Sequence, residues 1–189
     1  GIEEVRISGN VLPDSGFAGT TLTGTNGNDV LNGGAGDELF LAGDGNDTLY
    51  GNFGSDRLSG GSGQDLLYGG TGDDTLQGGS GDDSLYGNQG VDHLEGGSGN
   101  DLLRGGTLAD SFIFASGHDS DLIEDFAAWE DELHFASALV DRAVNTRAVL
   151  DRFATVTAQG VQFDFGGGDR LLLQGLESLT GLQDAIEII

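Results

Sequence analysis

The chain has 189 residues, enough for one domain or two small ones. Its formal net charge is -25, from 32 acidic residues against seven basic ones, so its surface repels nucleic acid and anionic membranes and attracts cations. No stretch approaches the roughly 18 apolar residues of a membrane span. Cysteine is absent, which excludes disulfides and thiolate metal sites. These features predict no nucleic-acid partner and no membrane span, and they favour cations as ligands.

The N-terminal segment, residues 1–23, holds one strand-like run, Glu4-Val5-Arg6-Ile7-Ser8, followed by polar residues. It is predicted to be a linker, a first cap strand or the tail of an upstream domain, and the sequence leaves these three open. The chain starts at Gly1 and contains no methionine. We therefore expect it to be a piece, the C-terminal end, of a longer protein.

Ten nonapeptides then follow one another without a gap from Gly24 to Ile113. The fourth position is glycine in nine units, the sixth is acidic in all ten, and the eighth is leucine or phenylalanine in all ten. The acidic residues are Asp29, Glu38, Asp47, Asp56, Asp65, Asp74, Asp83, Asp92, Asp101 and Asp110. The apolar residues are Leu31, Phe40, Leu49, Leu58, Leu67, Leu76, Leu85, Leu94, Leu103 and Phe112. The repeat thus divides the chain into segments 1–23, 24–113 and 114–189.

Positions 7 to 9 of each unit predict a short strand with one buried side chain, because the neighbours of an inward residue in a strand point outward. The glycines of positions 1 to 6 allow the dihedral angles that a chain reversal needs. Two units then make one coil of 18 residues, and stacked coils form two parallel sheets around a ladder of Leu and Phe. The predicted fold is all-β, a parallel β-roll with a mainly-β C-terminal capping region.

The stack places the acids of alternate units on the same edge of the roll, about 4.8 Å apart. Two unit charges at that distance repel by about 0.9 kcal/mol in water and by about 3.5 kcal/mol at an effective dielectric constant of 20. A cation between each pair turns this repulsion into attraction. Carboxylate and carbonyl oxygens in a flexible loop favour calcium over zinc or copper, and magnesium requires tighter octahedral geometry. The sequence therefore predicts several calcium ions.

The repeat resembles the RTX (repeats-in-toxin) nonapeptide GGxGxDxUx, in which U is a large apolar residue. The resemblance implies that each calcium ion lies between units n and n+2, held by the sixth-position side chains named above and by turn carbonyls, with up to eight such sites. The implied carbonyl ligands are those of Gly27, Gly34, Gly36, Gly43, Gly45, Gly54, Gly61, Gly63, Gly70, Gly72, Gly79, Gly81, Gly90, Gly97 and Gly99. Glu38 at position six and Leu108 at position four depart from the motif and weaken the sites of their units. Asn52 and Asn88 at position two are milder departures.

Tyr50, Tyr68 and Tyr86 recur every 18 residues at position nine and are predicted to stack on one outer face. A packing stripe on the pleated surface is the favoured interpretation, because cross-strand aromatic pairs stabilise sheets. A sugar-binding platform is the alternative.

The glycine repeat stops after residue 113, and segment 114–189 is more apolar. Its predicted elements are strands at 122–126 and 132–135, a helix capped by Asn145 that ends at Phe153, and a hairpin of 161–165 and 169–173. The segment resembles the C-terminal flank of RTX proteins, which implies that it covers the open end of the roll. Trp129 is expected to pack in this cap.

Three acids near the junction, Asp119, Asp121 and Asp125, are a candidate additional ion site. The last residues, Asp184-Ala185-Ile186-Glu187-Ile188-Ile189, resemble the C-terminal signal of type I secretion. The resemblance implies a secreted, extracellular bacterial protein whose partners are calcium ions, the type I secretion apparatus and an upstream domain of the same chain.

The favoured function is a module that folds on calcium binding outside the cell and supports the secretion and stability of a larger exoenzyme or toxin. The alternative is a calcium-dependent glycan-binding or adhesin module. The sequence has no HExxH, no GxSxG and no cysteine nucleophile, and His93, His118 and His134 lie in unrelated contexts. We therefore predict no catalytic residue and no organic cofactor, and interpret the chain as a non-catalytic part of a protein such as a protease, lipase or alginate-modifying enzyme.

Overall fold

The structure is a computed structural model that describes the backbone of residues 4–6 and the whole of residues 19–140 and 145–189. Its strands in chain order are β1 (Glu4–Arg6), β2 (Thr21–Thr23), β3 (Val30–Asn32), β4 (Leu39–Asp44), β5 (Thr48–Phe53), β6 (Arg57–Ser62), β7 (Leu66–Thr71), β8 (Thr75–Ser80), β9 (Ser84–Gln89), β10 (His93–Ser98), β11 (Leu102–Thr107), β12 (Ser111–Phe114), β13 (Ser120–Ile123), β14 (Glu132–Phe135), β15 (Ala154–Val156), β16 (Gly160–Gly166), β17 (Asp169–Gln174) and β18 (Ile186–Ile188). The helices are α1 (Thr146–Phe153) and α2 (Leu182–Ala185). Neither helix is long enough to cross a membrane, and the same holds for every helix in the described part of the chain.

The strands form two nine-stranded sheets that enclose one hydrophobic core. The first sheet has the order β1-β2-β4-β6-β8-β10-β12-β14-β18, and the second has the order β15-β16-β17-β13-β11-β9-β7-β5-β3. Consecutive strands of the repeat therefore alternate between the sheets, and each strand pairs in parallel with the strand one coil away. Between β5 and β7, for example, Leu49 pairs with Leu67 and Tyr50 with Tyr68. The predicted parallel β-roll with a coil of 18 residues is confirmed.

The strands of the repeat are longer than the sequence predicted. Most have six residues, because positions 7 to 9 of one unit continue into positions 1 to 3 of the next, as in β7. Gly70 and Thr71 at positions two and three still pair with the coil before them. The expectation that positions 1 to 6 all belong to the turn was wrong, and the turn consists of positions 4 to 6 alone.

The core is the predicted ladder of eighth-position side chains. All ten are at most 2% exposed, and most are fully buried. The ladder extends beyond the repeat in both directions, to Leu22 at one end and to Ile123 and Leu133 at the other. Because each rung buries one or two apolar side chains, the roll has a thin core along its length.

The C-terminal segment continues both sheets. Strand β14 occupies Glu132–Phe135 as predicted, and β13 ends at Ile123, earlier than predicted. Helix α1 follows Asn145, whose side chain accepts a hydrogen bond from the Ala148 N–H as an N-cap. Strands β16 and β17 form the predicted antiparallel hairpin, and β17 joins the roll by pairing in parallel with β13.

This segment covers the end of the roll with a cluster of phenylalanines. The rings of Phe135 and Phe165 contact each other, and each also contacts the rings of Phe114 and Phe163, with centroids 5.1 to 6.5 Å apart. Trp129 is not part of this cluster. It is 85% exposed, so the expectation that it packs in the cap was wrong.

Candidate cation sites along the two edges of the roll

In the third to tenth units two residues have positive φ, one at position two near the end of the strand and one at position four in the turn. At position two the angle is 119° for Gly70, and at position four it is 122° for Gly72. This conformation favours glycine, which carries no Cβ. Asn52 and Asn88 adopt it at position two with φ of 73° and 77°, which asparagine tolerates better than most residues. Leu108 adopts it at position four with φ of 80°, so the turn keeps its shape there at the expense of strain.

The sixth-position carboxylates form a ladder along each edge. From Asp47 onward, the Oδ1 atom of each accepts a hydrogen bond from the backbone N–H of the acid one coil earlier, as between Asp65 N and Asp83 Oδ1 at 2.8 Å. The ladder does not stop at the repeat. The N–H of Asp101 donates to Asp121 at 2.9 Å, and the N–H of Asp110 donates to Asp131 at 3.0 Å. Both edges thus continue into the C-terminal segment.

The second oxygen of most of these carboxylates is buried and receives no hydrogen bond from any described residue. We call such an atom an open oxygen and its turn an open turn. The open oxygens are Oδ2 of Asp47, Asp56, Asp65, Asp74, Asp83, Asp92, Asp101 and Asp121. Buried polar atoms in proteins almost always have a partner, so each open oxygen marks a place for a ligand.

The other N–H groups of the turn are already engaged and cannot serve the open oxygen. The position-four N–H donates to the position-three carbonyl of the next coil, as from Gly63 to Ser80 at 2.8 Å. The position-five N–H donates to a position-five side chain of the coil before, as from Gln64 to Asn46 Oδ1 at 3.0 Å. This second ladder was not predicted from the sequence. With these donors occupied, a cation is the natural partner for a buried ionised oxygen.

Three turns have a different, closed form. In each, the second carboxylate oxygen accepts the position-two N–H of its own turn: Thr25 N to Asp29 Oδ2 at 2.6 Å, Gly34 N to Glu38 Oε2 at 2.9 Å, and Ala127 N to Asp131 Oδ2 at 2.8 Å. Positive φ at positions two and four is absent from these described turns. The closed turns lie at the two ends of the array, and the open turns lie between them together with the turn of Asp110, which has positive φ at Gly106 and Leu108 but whose Oδ2 is not an open oxygen.

The first-position glycine leaves room beside each open oxygen. A Cβ added to Gly51 would collide with Asp56 Oδ2 and with the carbonyl oxygen of Gly69 in the next coil. The same pair of oxygens borders the first-position glycine at Gly60, Gly69, Gly78 and Gly87. This glycine therefore keeps open a space lined by a carboxylate and a carbonyl oxygen.

One unit lacks this glycine. Ala42 stands at the first position of the unit that carries Asp47, and it is 1% exposed. Its methyl group occupies the space that the other units leave empty. We therefore expect the turn of Asp47 to be the weakest of the open turns within the ten nonapeptides.

Burial makes the open turns difficult to ionise without a cation. Burial raises the pKa of Asp83 to about 7, although the N–H of Asp65 lowers it, and the carboxylates of Asp101 and Asp65 raise it further. Asp74 has its pKa raised to about 7 for the same reasons, with Asp92 and Asp56 as the charged neighbours. A divalent cation reverses both effects, because it favours the ionised form and screens the neighbouring rungs.

The structure brings most of the predicted ligands together along the two edges. The sixth-position side chains lie in line along the edges, and the position-four carbonyls point from one coil to the next, as from Gly45 toward Gly63. The turns of Gly27, Gly34 and Gly36 belong to the closed form. The first-position carbonyls and Asp131 were not predicted from the sequence, and no repeat period indicates Asp131.

The proposed junction site at Asp119, Asp121 and Asp125 is only partly assembled. Asp121 continues the ladder, but Asp125 binds elsewhere. It accepts the N–H groups of Gly105 and Gly106 at 3.1 and 3.0 Å and pairs with Arg104 at 3.3 Å. Asp125 therefore holds the backbone of positions one and two of the tenth unit. Both of its carboxylate oxygens accept hydrogen bonds there and are not directed at Asp121.

His118 and His134 are held by partners outside the ladders of sixth-position carboxylates. His118 packs edge-on against Phe114 with 5.4 Å between ring centroids, and burial lowers its pKa. His134 lies between two exposed carboxylates, Glu132 and Glu187, at 3.3 Å from each. These contacts give both rings structural partners.

Stacked carboxylates, carbonyls directed along the stack, and open oxygens beside a first-position glycine fit a hard cation such as calcium. The residues therefore define a cation-binding parallel β-roll.

A comparison with known protein families supports the same assignment. The RTX calcium-binding nonapeptide repeat, a model of four copies, matches residues 15–49, 33–67, 41–76, 68–103 and 86–120. These matches together span more than half of the chain, so the chain belongs to the RTX calcium-binding nonapeptide repeat family and is a calcium-binding module.

Comparison with curated protein sequences finds no match. Among solved structures, the chain is similar to the extracellular lipase LipA from Serratia marcescens, at 20% identity and a TM-score of 0.42. The match covers 93% of this chain and 41% of the lipase, so the chain spans less than half of the lipase's length.

Proposed function

We propose that the chain is a calcium-triggered folding module that serves the secretion and stability of a larger exoprotein. In this proposal the repeats stay unfolded in the cytosol, where calcium is scarce, and fold outside the cell. Extracellular calcium modules typically have affinities of about 10⁻⁴–10⁻³ M, which suits such a switch. The upstream part of the protein would carry the activity, and the segment ending in Ile186–Ile189 would engage a type I secretion apparatus.

The observation that carries the proposal is the set of open oxygens. Each is a buried carboxylate atom without a donor among the described residues, and neighbouring rungs repeat it along both edges. Without a cation, folding must either bury these charges or protonate them. Calcium that binds only the folded array adds RT ln(1 + [L]/Kd) per site to stability, which is about 1.4 kcal/mol at tenfold excess over Kd. Several sites together are comparable with the roughly 5–15 kcal/mol stability of a typical domain.

The test is circular dichroism with and without calcium at pH 7.5. The far-ultraviolet spectrum reports the strands, and the near-ultraviolet spectrum reports the tyrosine stack, whose rings meet only when the coils are in register. The expected result is a coil spectrum in chelator and a β spectrum with a tyrosine signal in millimolar calcium. A β spectrum in chelator at this pH would refute the folding switch. Trp129 is a poor reporter, because its side chain is exposed.

Two neighbouring acids supply a matched pair of variants. Asp83 carries an open oxygen and is 2% exposed, whereas Asp82 is exposed. Each Asp→Asn change removes one charge. We expect Asp83→Asn to raise the calcium concentration at the folding midpoint several-fold and Asp82→Asn to leave it nearly unchanged. Equal shifts would show that overall charge, and not the buried array, sets the calcium requirement.

The tyrosine geometry favours the folding role over a sugar-binding platform. Tyr50 and Tyr68 stack with centroids 5.2 Å apart and planes 2° apart, and Tyr68 and Tyr86 stack at 5.0 Å and 16°. The rings thus cover one another's faces, while a sugar ring needs an open aromatic face. The packing stripe is the interpretation that this arrangement supports.

A further inference from the structure

We infer that the turn of residues 116–121, outside the ten nonapeptides, is an eleventh cation-binding turn that holds a calcium ion together with the turn of Asp101. This inference rests on calcium binding by the repeats. It adds a site in the C-terminal segment, where the glycine motif has ended.

The strand register places this turn in the array. Strand β13 pairs in parallel with β11, with Leu122 opposite Leu102 and Ile123 opposite Leu103. Ile123 therefore takes the place of the buried eighth-position residue and is 1% exposed. Asp121 then falls at position six. It follows Asp101 by 20 residues and not by 18, because two extra residues precede the turn, and this offset hides the unit from a period of nine.

The backbone of the turn has the open form. Gly117 falls at position two with φ of 86°, and Asp119 falls at position four with φ of 56°. Aspartate is one of the few residues that adopts a positive φ without large cost. The backbone of the turn is therefore like that of the repeat units, although Gly117 is the one glycine it shares with them and Ser116 stands at the first position, as Ala42 does in the unit of Asp47.

The side chain of Asp121 has an open oxygen, like most of the sixth-position acids of the repeat. It is 4% exposed, and its Oδ1 accepts the N–H of Asp101 at 2.9 Å. Its Oδ2 is buried and receives no hydrogen bond within residues 19–140 and 145–189, and the same is true of Asp101 Oδ2. Two open oxygens on adjacent rungs therefore border the space between the two turns.

Further negative charge surrounds this space. Asp119 precedes it in the turn, and Asp169 at the start of β17 accepts the Gly117 N–H at 2.9 Å. Both carboxylates act on Asp121 electrostatically. Asp119 and Asp169 thus add negative charge beside Asp101 and Asp121 where strand β17 joins the roll. Carboxylate oxygens favour calcium over zinc or copper. An ion here would tie the C-terminal hairpin to the repeats.

The opposite edge provides an internal control. Asp131 follows Asp110 on that edge as Asp121 follows Asp101, but its second oxygen accepts the Ala127 N–H. That turn is closed. The inference therefore predicts an ion on one edge of the capping segment and none on the other.

The test uses the full chain in saturating calcium. Equilibrium dialysis counts the bound ions of the unaltered chain, of Asp121→Asn, and of Glu124→Gln as a matched control, since Glu124 is an exposed acid three residues away. We expect Asp121→Asn to bind one ion fewer and Glu124→Gln to bind the same number as the unaltered chain. An unchanged count in Asp121→Asn would overturn the inference.

A second experiment does not depend on the folding of Asp121→Asn. It locates the ions by anomalous diffraction from crystals of the unaltered chain grown in calcium. The expected map has a peak between Asp101 and Asp121 and none between Asp110 and Asp131. Ions in the repeats without a peak at Asp121 would overturn this inference and leave the proposed function standing. No ion anywhere would remove both.

Discussion

Acid should substitute in part for calcium in stabilising this fold. The buried carboxyls have pKa values near 6 or 7 in the folded chain, against an ordinary value of 3.8 that applies when the chain is unfolded. The calcium-free folded state therefore binds more protons than the unfolded state, so its stability is greatest at low pH and is lost as pH rises through about 6 to 7. Lowering the pH from 8 to 5 should stabilise the calcium-free fold.

The size of this effect follows from the pKa values. A carboxyl whose pKa moves from 3.8 to about 7, such as Asp83, contributes up to about 3 kcal/mol between pH 8 and pH 5. The turns lie near the surface, and solvent screening reduces this to about 1–2 kcal/mol for each carboxyl. A few such groups together are comparable with the whole stability of a typical domain.

The assay is denaturant unfolding of calcium-free protein at pH 8 and pH 5, followed by circular dichroism. We expect little or no folded protein at pH 8 and a measurable unfolding transition at pH 5. Exposed acids also lose charge on acidification, so the variants at positions 82 and 83 separate the two contributions. Asp83→Asn should lose about 1–2 kcal/mol of the acid-induced gain, and Asp82→Asn should lose little. A calcium-free chain that is more stable at pH 8 than at pH 5 would refute the reasoning.

Five substitutions test the construction of the coil. Ala42→Gly should open the space beside Asp47 and lower the calcium concentration at the folding midpoint, whereas Gly60→Ala at the same position of an open turn should raise it. Leu67→Ala, at a fully buried rung, should cost about 2–5 kcal/mol in calcium, against less than about 1 kcal/mol for its half-buried neighbour Leu66→Ala, measured by denaturant unfolding. Leu108→Gly should stabilise the folded chain by about 1 kcal/mol, because it relieves a positive φ in a non-glycine residue, and a loss of stability would contradict that assignment of strain.

The repeat predicted the parts of the fold that depend on a strict period. A side chain that recurs at every ninth residue must lie at the same place in every unit, so the Leu/Phe ladder and the carboxylate edges were readable from the sequence. The hairpin of β16 and β17 and the N-cap of α1 were readable for local reasons, since Gly166 to Gly168 separate two alternating runs and Asn145 precedes an apolar stretch.

The open or closed form of each turn was not predictable in this way. Gly34 and Gly36 occupy the same positions as Gly43 and Gly45, yet only the second pair has positive φ. Glycine permits both conformations, so its identity does not choose between them. The choice depends on whether the position-two N–H points toward the carboxylate. That orientation depends on the neighbouring coils and not on the residue at position two alone.

The open turns lead to a last prediction, which concerns how the ions are distributed between the edges. Counting pairs of sixth-position acids gives four sites on each edge. Counting open Oδ2 atoms of aspartates gives five on the edge that contains Asp121 and three on the edge that contains Asp131. Both edges begin with a closed turn, and the difference arises because Asp121 is open whereas Asp131 is closed and Asp110 carries no open oxygen. The anomalous map should therefore show more ions along the first edge than along the second, with the lowest occupancies beside Ala42 and Ser116, which carry side chains at the first position. Equal numbers of ions on the two edges would contradict the assignment of one ion to each open turn, because that assignment gives the two edges different numbers of sites.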